Sequence, residues 1–398
     1  MDEYVLTRAQ FDSLAGGYGS TDAIDLLIDT QHARRRLLLL AAVESHDPLR
    51  SPVETLSALD RRTPSIGRYV FGHPYLEAWF ADLTGGHEAR ATQYLCGLVM
   101  AAALRAGEPF ELDVPMAGRD LVLPGLGTVP DVGPGAIHAT GEGTQWTINA
   151  RRRRLRPFRS IELPTIDESI TMTLDDGDPY RSRFASPAAS NLDDDTAKRF
   201  RESAEAAWRI LLDEQPVHAS TMRALLRIVV PLGDDDPGVQ RSASARDAFG
   251  AVGLSVPNDP ETLAELLIHE LQHAKLGALL DLTNLCRPGG AALFYAPWRH
   301  DRRRAGPLLQ GIYAYVGVSG YWRKRRTGSD HDGEFKFAYW RDQTAFALDQ
   351  LLASDELTEL GVAFATRLRR TLTGWQHEPV SAAAAEAATA EALADRSR

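Results

Sequence analysis

From Thr21 to about Gly107, apolar residues recur at helical spacing, as in Ala23, Leu26 and Leu27 and again in Leu37, Leu38 and Ala41. Residues three and four apart share a helix face, so the pattern predicts amphipathic helices interrupted at Pro48, Pro52 and Pro64. Between Glu108 and about Asp178 the texture changes to short alternating or β-branched pieces: Phe110 to Val114, Leu121 to Leu123, Gln145 to Ile148 and Ile170 to Leu174, set apart by Gly and Pro. These predict a small antiparallel β unit. Beyond polar Asn191 to Asp195, residues Phe200, Ala204, Ala207, Trp208 and Leu211 return to one helix face, and helical spacing then continues. The expected organisation is a helical region over 1–107, a β-rich region over 108–190, a helical region over 191–380 and an Ala-rich tail over 381–398, a frayed helix or disordered segment without a core to join. The fold class is α+β, predominantly α-helical.

Within the third region, Asp259 is placed to cap a helix and Pro260 to occupy its first position, where a missing N–H costs nothing. Leu263, Leu266, Leu267, Leu271, Ala274, Leu276, Leu279 and Leu280 then wrap almost the whole circumference of a helix running to about Leu285. Such a helix is expected to be buried. It carries His269, Glu270 and His273 in the stretch His-Glu-Leu-Gln-His. Histidines four apart lie one turn apart on one face, so both imidazoles can reach one metal ion, while the intervening Glu can address a metal-bound water. Buried without partners, these groups cost about 1–3 kcal/mol each, a cost that a metal or protein partners offset. His269 and His273 are the candidate metal ligands.

The motif alone suggests a zinc peptidase with Glu270 as general base. The extended form of that motif needs Gly at the position of Leu276 and His at that of Leu279. The other common ligand, a Glu from a following helix, is missing, since no Glu falls between Glu270 and Glu334. Asp281 lies about 12 Å of helix rise beyond His273, too far for a direct bond. No complete zinc-peptidase ligand set is visible.

Composition narrows the chemistry. The 398 residues are 44% hydrophobic and 25% charged, as in globular proteins with room for more than one packed subdomain. Cys96 and Cys286 are the only cysteines, too few for a thiolate cage, so a metal must rest on His, Asp, Glu or amide groups. With no cationic, apolar N-terminal segment, a cytoplasmic location is expected, with no membrane partner. A net charge of −10 argues against nucleic acid as a partner. The basic runs Arg151 to Arg154 and Arg302 to Arg304 read either as solvated faces or as docks for an acidic peptide or small carboxylate.

After the motif helix come Phe294-Tyr295-Ala296-Pro297-Trp298-Arg299-His300-Asp301 and a helical stretch, Leu308 to Tyr315, that contains Gln310 and Gly311. Together with the stretch His269 to Leu282, these segments resemble the HExxH-motif proteins of ribosomal-peptide (RiPP) biosynthetic clusters, described as 2-oxoglutarate-dependent peptide β-hydroxylases. Weaker similarity runs through Gln31 to Val43 and the turn Asp178-Pro179-Tyr180-Arg181 and so covers most of the chain. The resemblance implies an Fe(II)- and 2-oxoglutarate-dependent oxygenase using dioxygen. Its substrate would be a precursor peptide, which can arrive already crosslinked by a radical SAM enzyme. His269 and His273 would bind iron, with Glu270, Gln310 and Asp301 as candidates for the third ligand. Arg299 would hold the distal carboxylate of 2-oxoglutarate, with Arg302 and the tyrosines Tyr295 and Tyr313 lining the site. The alternatives are the zinc peptidase and a peptide-binding scaffold whose histidines are structural.

Overall fold

In a computed structural model of the chain, residues 4–143, 145–164, 170–189, 191–233, 240–256, 259–326 and 331–397 are described. The first helical region comprises α1 (Arg8–Ala15), α2 (Thr21–Ser45), α3 (Arg50–Arg62), α4 (Ser65–Phe71), α5 (Leu76–Thr84) and α6 (Glu88–Ala106). The prolines punctuate it as expected. Pro48 lies in a 3-10 turn after α2, Pro52 in the first turn of α3, and Pro64 immediately before α4. At its C-terminus α6 stops on Gly107, whose φ of 69° is a left-handed conformation that glycine adopts without Cβ strain.

The strands are β1 (Phe110–Met116), β2 (Leu121–Leu123), β3 (Gly127–Val129), β4 (Gly135–Glu142), β5 (Gln145–Ile148), β6 (Arg151–Arg152), β7 (Arg156–Pro157), β8 (Arg159–Leu163), β9 (Ile170–Leu174), β10 (Ile228–Pro231), β11 (Ser242–Ala243) and β12 (Ala251–Leu254). They form three small sheets, ordered β1-β4-β5-β6, β2-β3-β7 and β11-β12-β10-β9-β8. The first two are antiparallel throughout. In the third, β10 runs parallel to both β9 and β12. Three of these strands thus fall in a stretch expected to be dominated by helices. The chain is α+β and predominantly helical.

Helices α7 (Asp194–Glu214), α8 (Pro216–Leu225), α9 (Pro260–Leu282), α10 (Ala305–Arg325), α11 (His331–Leu352), α12 (Glu359–Gln376) and α13 (Ala382–Ser397) complete the chain. It divides into two compact units, one of residues 1–27, 203–224 and 258–398 and the other of 28–202 and 225–257. The division departs from the four sequential regions expected, because helical periodicity reports each element's buried face but not its partner. The C-terminal segment departs in finding a core to join: its helix lies against α11, where Ala388 packs with Ala338 and Tyr339 and where Arg396 lies 3.9 Å over the Phe346 ring. Alanine's small side chain lets a helix approach aromatic rings closely, and a count of large apolar residues misses such a surface.

The unit that holds the three sheets has its core between α6 and the sheets, with Leu95, Leu98 and Val99 of α6 buried beside Leu112 and Val114 of β1 and Leu121 of β2. Its Asp178-Pro179-Tyr180-Arg181 turn closes on Asp178, whose carboxylate accepts from the Tyr180 amide and the Tyr94 hydroxyl, each at 2.9 Å. Burial, with the nearby Asp175 carboxylate adding to it, holds the Asp178 carboxyl well above the usual range.

Candidate metal centre

The motif helix α9 starts where its cap residues place it. The Asp259 carboxylate accepts from the Thr262 amide at 2.8 Å, and Pro260 is the first helical residue. Helix α10 lies alongside. Gln272, fully buried on α9, donates to the carbonyls of Tyr313 at 3.1 Å and Gly17 at 2.9 Å, which ties α9 to α10 and to the turn after α1. The neighbouring Lys275, also fully buried, donates to the carbonyls of Gly17 and Tyr18, and burial pulls its ammonium down to about 7.

With α9 held in this way, His269 and His273 turn their Nε2 atoms toward each other at 3.1 Å, with ring planes 77° apart. If both nitrogens bind one ion at about 2.1 Å, that separation subtends roughly 95° at the metal, between octahedral and tetrahedral angles. The other nitrogen of His273 is occupied: Nδ1–H donates to the Gln310 side-chain carbonyl at 3.0 Å. An amide oxygen only accepts, so this bond fixes the proton on Nδ1 and leaves Nε2 as a bare lone pair. Burial and, less strongly, the neighbouring His273 hold the His269 imidazole down to about 3, so it is neutral near pH 7. Two imidazole nitrogens converging in this way fit one divalent ion. An N–H···N bond between the rings fits the same distance, with the proton on His269.

An aromatic wall stands beside the pair. The Tyr315 ring meets His269 edge-on at 5.2 Å, stacks on Trp298 at 4.8 Å and contacts Trp340 of α11 at 4.2 Å. Burial, reinforced by the carboxylates of Glu265 and Glu270, keeps the Tyr315 phenol protonated. Trp298 is seated flat against α10 at Gly311, where any Cβ would overlap its indole. The loop that carries Trp298 is closed at its base by paired backbone hydrogen bonds between Phe294 and Arg303, at 2.8 and 2.9 Å.

The other expected site residues sit as follows. Glu270 is buried on α9. Asp301 is exposed and engaged by Arg299 at 2.8 Å and Arg303 at 3.0 Å, and Arg302 is exposed. Tyr313 turns away from the wall: its hydroxyl donates to the Leu14 carbonyl at 2.9 Å, and its ring meets Phe364. Tyr295 faces Phe346 of α11. Among the described residues, no three His, Cys, Asp or Glu side chains come together in a metal-binding group. Gln310 orients His273 through Nδ1, the nitrogen turned away from His269.

Two further residues stand by the site. Glu265 lies one turn before His269, a helical spacing legible in the sequence, and burial pushes its carboxyl up to about 7. Trp340, far off in sequence, carried no signal.

Because the Gln310 carbonyl fixes the His273 tautomer, Gln310→Leu is expected to weaken divalent-metal affinity about 10–100-fold. Gln310→Glu, which keeps an acceptor, should retain most of it. Competition titration against a chromogenic chelator reads both, and equal affinity in the Leu variant would refute the orienting role.

No protein-family model matches the chain, and no curated protein matches it at a significant level.

Proposed function

We propose that the chain is an Fe(II)- and 2-oxoglutarate-dependent hydroxylase that modifies the β-carbon of a residue in a ribosomally made precursor peptide. The observation that supports it most is the convergence of His269 and His273 at 3.1 Å with His273 oriented by Gln310. These histidines would hold the iron, leaving other positions for cosubstrate and dioxygen, which an oxygenase requires. The resemblance in the Pro-Trp-Arg loop and the Gln-Gly helix supplies the choice of chemistry. Bound iron supplies dioxygen activation, in a reaction that places one oxygen atom in a C–H bond and converts 2-oxoglutarate to succinate and carbon dioxide.

The chain's own residues orient and shield. Gln310 holds one imidazole in its tautomer, and Tyr315, Trp298 and Trp340 exclude water from one side of the pair. Arg299 stands next to Trp298 in a loop pinned at its base, and a guanidinium binds a carboxylate in a bidentate fork. Its present partner, Asp301, is an exposed residue. Such pairs contribute about 0–1 kcal/mol, so a dicarboxylate can displace Asp301 at small cost. The zinc-peptidase alternative would use the same two histidines with Glu270 as general base on a metal-bound water.

Intact-mass measurement separates the readings. Incubated with a precursor peptide, iron, 2-oxoglutarate and dioxygen, the protein is expected to add about 16 Da and leave the backbone whole. Two fragments formed under nitrogen with zinc and no keto acid would establish the peptidase instead. Inertness toward every precursor encoded nearby would leave the scaffold reading.

A further inference from the structure

We infer that the arginine ribbon from Arg151 to Arg156 is a docking edge for an extended, acidic peptide segment. Five of its six residues are arginine, with Leu155 the exception. The chain carries 54 acidic against 44 basic residues, and many of its other arginines are paired with carboxylates. Among the described residues, Arg151, Arg152, Arg153, Arg154 and Arg156 make no ion pair, no side-chain hydrogen bond and no ring contact. All but Arg153 are exposed. A row of like charges is destabilising, and no ion pair among the described residues offsets it.

The backbone adds a second, independent feature. β6 is the last strand of the sheet β1-β4-β5-β6. It follows β5 through a two-residue turn in which Asn149 (φ 51°) and Ala150 (φ 60°) are both left-handed, the type I′ geometry of tight hairpins. Ile148 and Arg151 are then the hydrogen-bonded pair closing the turn, and Thr147 and Arg152 are the next, non-hydrogen-bonded pair. The N–H and C=O of Arg152 consequently point out of the sheet, toward an edge with no further strand. The ribbon goes on to β7, itself the last strand of β2-β3-β7. An extended peptide can continue the ladder at Arg152 while its carboxylates meet the guanidinium groups. Six residues span about 20 Å, the length of a short strand. A nucleic acid would satisfy the charges but offers no strand to the open edge.

The inference rests on the reading that the chain acts on a peptide, and it adds that the substrate is gripped through an acidic stretch. The test needs neither metal nor turnover, so its outcome is independent of the oxygenase chemistry. The full-length protein is titrated into a fluorescein-labelled peptide of about ten alternating Glu and Thr residues, one strand's worth, and binding is read by anisotropy. Arg151→Glu with Arg152→Glu and Arg154→Glu is expected to weaken binding on the order of tenfold or more. Arg8→Glu with Arg50→Glu and Arg119→Glu changes net charge equally at other exposed positions and is expected to leave it within about twofold. The Arg→Gln version of the ribbon variant serves if charge reversal impairs folding by circular dichroism. N-methylation of alternate peptide amides is expected to weaken binding to the wild type. Equal loss in both triple variants, no loss in either, an unaffected N-methylated peptide, or tighter binding of a labelled oligothymidylate would overturn the inference.

Discussion

The wild type is expected to purify with about one divalent ion per chain, and replacing His269 and His273 together with alanine is expected to leave it with none. The two Nε2 atoms lie 3.1 Å apart on successive turns of α9, and His273 Nε2 is a lone pair because Gln310 holds the ring's proton on the other nitrogen. Either single substitution removes half of the protein donors so far visible, so each should weaken binding strongly, and the double variant should abolish it. Truncating two rings also leaves space beside Tyr315 and Trp298, which costs some stability. Thermal denaturation monitored by circular dichroism separates loss of the site from loss of the fold. Elemental analysis of folded wild type and double variant decides the matter. If both hold the same metal, the pair is a histidine–histidine hydrogen bond in a helical core, and the oxygenase and peptidase readings fall together.

The residues that carry this prediction were readable in the sequence because their message is local. Asp259 and Pro260 mark a helix start whatever surrounds them, and a separation of four residues puts two histidines on one face of any helix. The alternating pieces at Phe110, Leu121, Gln145 and Ile170 became β1, β2, β5 and β9 for the same reason. Strands β10 and β12 are buried at every position and so lack alternation. A run of four apolar residues without a period reads equally well as buried helix. The candidate site shows the same divide. Gln310 and Gly311 stand out in the sequence as a pair, but their roles follow from partners elsewhere in the chain: His273 for the amide and Trp298 for the missing side chain. Tyr313 and Tyr315 sit two apart on α10, nearly opposite faces of a helix, and only packing reveals that Tyr315 faces the histidines while Tyr313 faces Leu14. No local rule chooses between them.

Gly317→Ala is expected to destabilise the protein by about 2 kcal/mol and to weaken metal binding with it. Alanine is intrinsically the better helix former by about 1 kcal/mol, so the substitution would be favourable if space allowed. It does not: a Cβ on Gly317 would lie 2.7 Å from Cγ of Gln272 and 2.9 Å from Cγ2 of Ile268. Gln272 has little freedom to yield, since its amide holds the carbonyls of Gly17 and Tyr313, each bond contributing about 1 kcal/mol. The two helices must therefore part. Gly317 lies seven residues after Gln310, two turns along the same face of α10, so widening the gap at Gly317 draws Gln310 away from His273. Gly277 of α9 is the control, because a Cβ there meets nothing within 4 Å and alanine is expected to stabilise by up to about 1 kcal/mol. Urea denaturation and chelator competition on the three proteins give the pattern to look for. Gly277→Ala should gain stability with metal affinity unchanged, whereas Gly317→Ala should lose both. Gly317→Ala that matched the control in stability would mean that α9 and α10 do not need this contact to bring Gln310 to His273.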